Sequence, residues 1–216
     1  MAQRHPARYT DALLPVFIEL LAGATRVLDP FGGTGKIFEL ESLLPGVFFA
    51  AVEIEPEWAA MHPKTMLGNA LALPWPDGYF SDIVTSPAYG NRMADHHEAK
   101  DSSRRNTYTH CIGRKLHRDN SGAMQWGDQY RQFHVAAWTE AKRVLCGGGQ
   151  FILNIKDHIR AGKRQHVTDW HCFALQSLGF VELKHIQVAC PGQRFGANGD
   201  ARIEYESVIL FEKGKN

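Results

Sequence analysis

The ten residues Val27-Leu28-Asp29-Pro30-Phe31-Gly32-Gly33-Thr34-Gly35-Lys36 constrain the fold more than any other part of the chain. A short apolar run ends in an acid. A glycine cluster then turns the backbone into a helical pattern through Phe38, Leu40 and Leu44. Gly33 and Gly35 allow a tight turn and close approach of a ligand to the backbone, and the new helix offers free N–H groups. A second apolar run, 47–54, ends in Glu53, 24 residues beyond Asp29. Short apolar strands alternating with helical patterns predict parallel strands joined by crossover helices.

The rest of the chain continues that rhythm. Met66 and Leu67 read as a third short strand and 81–90 as a fourth, ending in a proline turn. Tyr130, Phe133, Ala137, Trp138, Ala141, Val144 and Leu145 have the spacing of an amphipathic helix, which Gly147–Gly149 are expected to end. A fifth strand covers 150–155, and Thr168 is the expected N-cap of a helix stopped by Gly179. Segments 180–189 and 203–212 alternate and are expected to close the sheet as an antiparallel pair. At 216 residues the chain is read as a single domain, 1–216.

Residues 91–129 break the pattern. They lack apolar periodicity, and 91–119 carries seven Lys and Arg against four acids, in a chain whose net charge is +1. An irregular stretch this long inside a compact domain points to function. Arg92, Arg104, Arg105, Arg114 and Lys115 are the candidate nucleic-acid contacts. No apolar run reaches the roughly 18 residues of a membrane span, and the first residues lack the apolar core of a secretory signal. The expected location is the cytoplasm. The four cysteines, 111, 146, 172 and 190, form no C-x-x-C pair and are read as free thiols. No metal site is expected, because the histidines and Cys111 of the irregular stretch have no standard ligand spacing.

The glycine turn itself admits several readings. A phosphate loop needs Ser or Thr after Gly-Lys, and Ile37 stands there. A dinucleotide fingerprint needs a third glycine where Phe38 stands. A looser site remains, for a ligand without pyrophosphate such as S-adenosylmethionine, with Glu53 placed to hold ribose hydroxyls. A purely structural strand–helix turn remains beside it.

Two linked motifs carry a family resemblance. Residues 29–35, D-P-F-G-G-T-G, resemble the D-P-F-x-G-x-G signature of DNA amino-methyltransferases. Residues 85–91, T-S-P-A-Y-G-N, resemble their catalytic (D/N/S)-P-P-Y tetrapeptide. The segment from Gly68 looks like the one that contacts the cofactor's adenine, and 5–14 looks like the element that closes over its methionine end. The resemblance implies a class I methyltransferase fold, α/β and Rossmann-like. Its sheet has seven mostly parallel strands with helices on both faces and one antiparallel strand near an edge.

The resemblance also implies S-adenosylmethionine as cofactor and DNA as substrate. Cofactor contacts fall on Tyr9, Thr10, Asp29, Phe31, Gly33, Gly35, Glu53, Ile54, Asn69 and Ala70. Catalysis falls on Ser86, Pro87 and Tyr89. The Ser86 hydroxyl and the Pro87 carbonyl would accept hydrogen bonds from an exocyclic base amine, and Tyr89 would stack on the flipped base. Ser86 resembles the cytosine-N4 group. Adenine N6, an RNA amine, or a catalytically impaired cofactor- and DNA-binding module are the alternatives. Cytosine C5 chemistry needs a cysteine nucleophile, and no Pro-Cys pair exists. The chain departs from the family pattern at Ala88, where the second proline is missing. An alanine frees a backbone dihedral that proline fixes.

Overall fold

The computed structural model describes residues 10–91, 108–190 and 201–215. In chain order the principal elements begin with α1 (Leu14–Leu20), β1 (Arg26–Asp29), β2 (Phe48–Glu53), α2 (Pro56–Ala59), β3 (Thr65–Leu67) and β4 (Phe80–Thr85). They continue with α3 (Tyr108–Ile112), α4 (Asp128–Val144), β5 (Leu145–Ile155), β6 (His158–Arg160), β7 (Lys163–Gln165), α5 (Val167–Ser177), β8 (Phe180–Ala189) and β9 (Tyr205–Lys213). Seven strands form one sheet in the order β3-β2-β1-β4-β5-β9-β8. The pairs β2–β3, β1–β2, β1–β4 and β4–β5 are parallel, and β9 runs antiparallel to both β5 and β8. This is the expected class I methyltransferase architecture, with the expected antiparallel closing pair.

Neighbouring residues on the central strands feed opposite faces. Leu28, Ile83, Phe151 and Ile209 pack on one side, with Trp138 of α4 and Leu175 of α5. Val27, Val84, Ile152 and Val208 pack on the other, with Phe17 of α1 and Ile37. Burial on both faces explains why these strands read as continuous apolar runs. Strand order reverses between β1 and β4. In open α/β sheets, ligands bind at the carboxyl ends of the strands at such a switch point. Asp29, Glu53 and Thr85 are the last residues of β1, β2 and β4.

Three local expectations need correction. The helix of the second half ends at Val144, before the three glycines, which lie inside β5. They form an irregularity where pairing with β4 jumps from Phe80↔Leu145 to Asp82↔Gln150, the kind of bulge that glycine permits. Thr168 is not the N-cap of α5. His166 holds that position, and the Thr168 N–H donates to the Asp157 carboxylate at 2.8 Å. The β6–β7 hairpin was not expected. Its turn, Ala161-Gly162, has φ of 50° and 71° and lacks an Asn-Gly or Asp-Gly signal.

Candidate active site

A cleft opens at the switch point. The glycine turn and the ends of β1 and β2 form one wall, and residues 86–88 after β4 form the other. Of the expected site residues, Asp29, Phe31, Gly33, Glu53, Ile54, Asn69, Ala70, Ser86 and Pro87 all line it.

The first wall is organised by two buried carboxylates. Asp29 accepts hydrogen bonds from the Phe31 N–H and the Thr85 hydroxyl, both at 3.0 Å, tying the end of β1 to the end of β4. Glu53 accepts the Gly33 N–H at 2.9 Å and the Glu55 N–H at 2.8 Å, one on each oxygen. It therefore fixes the glycine turn against β2. Burial raises both carboxyl groups to about 7 against the pull of these donors. At Gly32 a Cβ would sit 2.7 Å from the Ala51 Cβ, so only glycine lets the turn lie on β2.

This donor and acceptor set fits S-adenosylmethionine. Each Glu53 oxygen keeps a lone pair for a ribose hydroxyl. Asn69 and Asp119, joined at 3.1 Å, put polar groups on the rim beside Ile54 and Trp58. Acidic groups also suit a cationic sulfonium.

Residues that sequence reasoning missed anchor part of the cleft lining. Glu55 is fully buried and accepts the His117 N–H at 2.7 Å and the Asn120 amide at 2.8 Å. The Arg114 guanidinium pairs with Glu55 at 2.8 Å and with Glu57 at 2.5 Å. These bonds moor residues 114–120 to the end of β2 and bring Asp119, Asn120 and Ser121 into the cleft. A glutamate two residues beyond Glu53 was the signal available. Its partners lie about 60 residues away, which no spacing rule reveals.

Ser86 is held from behind. Its Oγ accepts the Asn154 amide at 3.0 Å and lies 3.3 Å from the Tyr89 hydroxyl. The same amide reaches the Tyr89 oxygen at 3.2 Å and Glu206 at 2.7 Å. Asn154 interrupts the apolar residues from Phe151 to Ile155, and that misfit was its visible signal.

Other expected residues fall elsewhere. Thr10 caps the turn Asp11–Leu13 by accepting the Ala12 N–H at 3.1 Å and does not line the cleft. Gly35, with φ 82°, faces His62, where a Cβ would approach to 2.6 Å, so its role in the structure is packing. Tyr89 does not line the cleft, and its hydroxyl points to Asn154 and Glu206. Arg114 is committed to Glu55 and Glu57 rather than presented for a phosphate, whereas Lys115 is exposed. Tyr9, Arg92, Arg104 and Arg105 lie outside the described residues. No disulfide joins any of the four cysteines. Among the described residues, no cluster of three His, Cys, Asp or Glu is arranged for a metal, and no helix is long and apolar enough to cross a membrane.

Comparison with known proteins agrees with this geometry. A Methanosarcina mazei S-adenosylmethionine-dependent methyltransferase superposes with a TM-score of 0.61 at 15% identity, covering 94% of this chain and 98% of that one. The PH0226 protein of Pyrococcus horikoshii OT3 gives 0.58 at 15% identity, covering 94% and 88%. The N-methyltransferase NodS of Bradyrhizobium japonicum WM9 gives 0.54 at 12% identity, covering 93% and 94%. At these identities the likeness is one of fold. No curated protein matches the sequence. The N6/N4 methyltransferase family model, described as DNA methylase, matches residues 81–216, well over half of the chain. The family's cofactor is S-adenosylmethionine, and the chain belongs to the N6/N4 DNA methylase family.

Proposed function

We propose that the protein methylates an exocyclic base amine in DNA, with cytosine N4 as the target. The observation that carries this reading is that Ser86 and Pro87 line the same cleft as Asp29, Gly33 and Glu53. S-adenosylmethionine, when bound, supplies a methyl group on a positively charged sulfur. Glu53 and Asn69 hold its adenosine end, and the turn after β4 holds the base.

The chemical difficulty is the amine. Its lone pair is delocalised into the ring, so it is a poor nucleophile. Two fixed acceptors, the Ser86 hydroxyl and the Pro87 carbonyl, take its hydrogens and favour a pyramidal nitrogen aimed across the cleft. The rate gain is then one of positioning. Asn154 supports this role because its amide fixes Ser86 Oγ from the side away from the cleft. The serine at position 86 resembles the cytosine-N4 group and supports cytosine N4 over adenine N6. Tyr89 lies outside the cleft lining, so an extruded base would have to reach past residues 86–88 to stack on its ring.

The target base lies outside the duplex in this scheme, so a mismatched or single-stranded site reacts at least as fast as a paired one. Residues 92–107 together with Lys115 supply phosphate contacts. The test is single-turnover transfer of labelled methyl to unmethylated DNA by wild type and Ser86→Ala. Loss of transfer with unchanged cofactor affinity supports the reading. Wild-type turnover in the variant means that another group holds the amine.

A further inference from the structure

Behind the turn after β4 lies a row of polar side chains that the proposed chemistry does not use. Trp138 and Tyr130 of α4 and His171 of α5 are each 0% exposed. The Trp138 Nε1 lies 3.1 Å from His171 Nδ1, and His171 Nε2 lies 3.0 Å from the Tyr130 hydroxyl. That hydroxyl lies 2.7 Å from the Ala88 carbonyl.

The direction of every bond in the row is fixed by chemistry. An indole N–H can only donate, so His171 Nδ1 accepts. The ring's single proton must then sit on Nε2 and is donated to the Tyr130 oxygen. A carbonyl can only accept, so Tyr130 donates to Ala88. The row runs one way, from Trp138 to the backbone of the catalytic turn, and it requires a neutral imidazole. Burial keeps His171 neutral by holding its pKa well below the usual value. His134, its neighbour at 5.0 Å between ring centroids, is likewise buried and donates from Nδ1 to the Tyr130 carbonyl at 2.9 Å.

This row meets the turn at Ala88. Ala88 follows Pro87 and has no ring to lock its φ, whereas a proline there would fix it near −65°. We propose that Trp138, His171 and Tyr130 form a positioning relay that holds the Ala88 peptide, and with it Ser86 and Pro87, in place of a second proline. The inference rests on the reading of this turn as the amine-holding site. The same cluster reaches the opposite wall: Phe31 stacks on His134 at 5.9 Å and meets Trp138 edge-on at 5.8 Å. Both walls of the cleft therefore rest on one set of buried rings.

The experiment combines Tyr130→Phe with Ala88→Pro. Tyr130→Phe removes one oxygen and keeps the ring, so the core stays filled. Its single-turnover methyl transfer to unmethylated genomic DNA should fall about tenfold while S-adenosylmethionine affinity stays within about twofold. In the Ala88→Pro background the same substitution should cost less than about threefold, because the proline makes the tyrosine bond redundant.

A second readout needs no activity. The Trp126 N–H donates to the Gly90 carbonyl at 3.0 Å. Its hydrogen exchange should quicken in Tyr130→Phe and slow again in the double variant. Equal transfer and exchange in wild type and Tyr130→Phe would overturn the proposal. So would an undiminished loss in the proline background, or an Ala88→Pro chain that does not fold. Ser86→Ala run alongside separates the two claims: if it keeps full transfer, the reading of the site fails, and the Trp126 exchange still decides the relay.

Discussion

The wall of the cleft at the ends of β1 and β2 is made from two buried carboxylates set among backbone N–H groups. The wall after β4 is backed by buried imidazole, phenol, indole and amide groups, with the Glu206 carboxylate bonded to the Asn154 amide. The two walls use opposite proton chemistry. Asp29 and Glu53 are pushed up to about 7 by burial, so near neutral pH they divide between the protonated and ionised forms. His134 is pushed down to about 3 and His171 well below its usual value, so they refuse protons. A wall built for a cationic, hydroxyl-bearing cofactor carries negative charge in reserve. The wall after β4 keeps its acid behind the turn, where Glu206 accepts the Asn154 amide at 2.7 Å.

Removing Glu53 should have the largest effect on the first wall. Glu53→Ala deletes the acceptor for the Gly33 N–H as well as the ribose partner, and cofactor affinity should fall about 100-fold, the cost of two charge-assisted bonds. Titration calorimetry checks it, and unchanged affinity would remove Glu53 from the site. The second wall should answer differently. Tyr89→Ala should cut transfer by about 10- to 100-fold, the value of one base–aromatic stack, with cofactor binding intact. Tyr89→Phe, which keeps the ring and loses only the contacts of the hydroxyl, should lose less. A Phe variant as poor as the Ala variant would assign Tyr89 to the Ser86–Asn154 network instead of the base.

The pH response sharpens the contrast at a smaller scale. The raised folded pKa values of Asp29 and Glu53 add stability that is complete below the unfolded values near 4 and lost as pH rises towards 7. The depressed histidines act in the other direction. Their contribution is complete above the unfolded value of 6.5 and is lost as pH falls, because the unfolded chain then binds protons that the buried rings do not. Glu53→Gln removes one term of the first kind. Its stability relative to wild type in urea melts should rise between pH 5 and 7 by about 1 kcal/mol per pH unit. Cofactor affinity should strengthen over the same range in wild type, since ribose hydroxyls favour the ionised carboxylate, and should be flat in Glu53→Gln. A flat wild-type profile breaks the comparison.

The smallest effect concerns Arg114 and Lys115, two of the three Lys and Arg residues in the described part of the irregular stretch. Lys115→Ala should lower the slope of log affinity for duplex DNA against log salt by about one unit. Arg114→Ala should change cofactor binding more than the salt slope, because its partners are Glu55 and Glu57. The reverse pattern would return Arg114 to the DNA.

This difference between the walls also explains what could be read from the sequence. The first wall is local: an acid, a glycine turn and a second acid 24 residues on are close in sequence, and their spacing announces the strand ends they occupy. The Ser86 turn is local too. What fixes that turn is not. Ala88 is held from residues 130, 138 and 171, and Ser86 from residue 154, across strands and helices whose pairing only the folded chain defines. In the sequence Tyr130 and Trp138 read as core positions of an amphipathic helix, which they are, and nothing in a hydrophobic stripe shows that its phenol and indole are hydrogen-bonded. Arg114 failed in the same way, since a positive charge in a basic stretch looks alike whether it meets a phosphate or a buried glutamate.

The central claim is that the turn after β4 delivers a base amine to the methyl donor. Nucleoside mass spectrometry of unmethylated DNA incubated with the protein and S-adenosylmethionine tests it most directly. The account predicts N4-methyldeoxycytidine from wild type and none from Ser86→Ala, with both proteins binding the cofactor equally. Appearance of 5-methyldeoxycytidine, or equal N4 product from the two proteins, would contradict it.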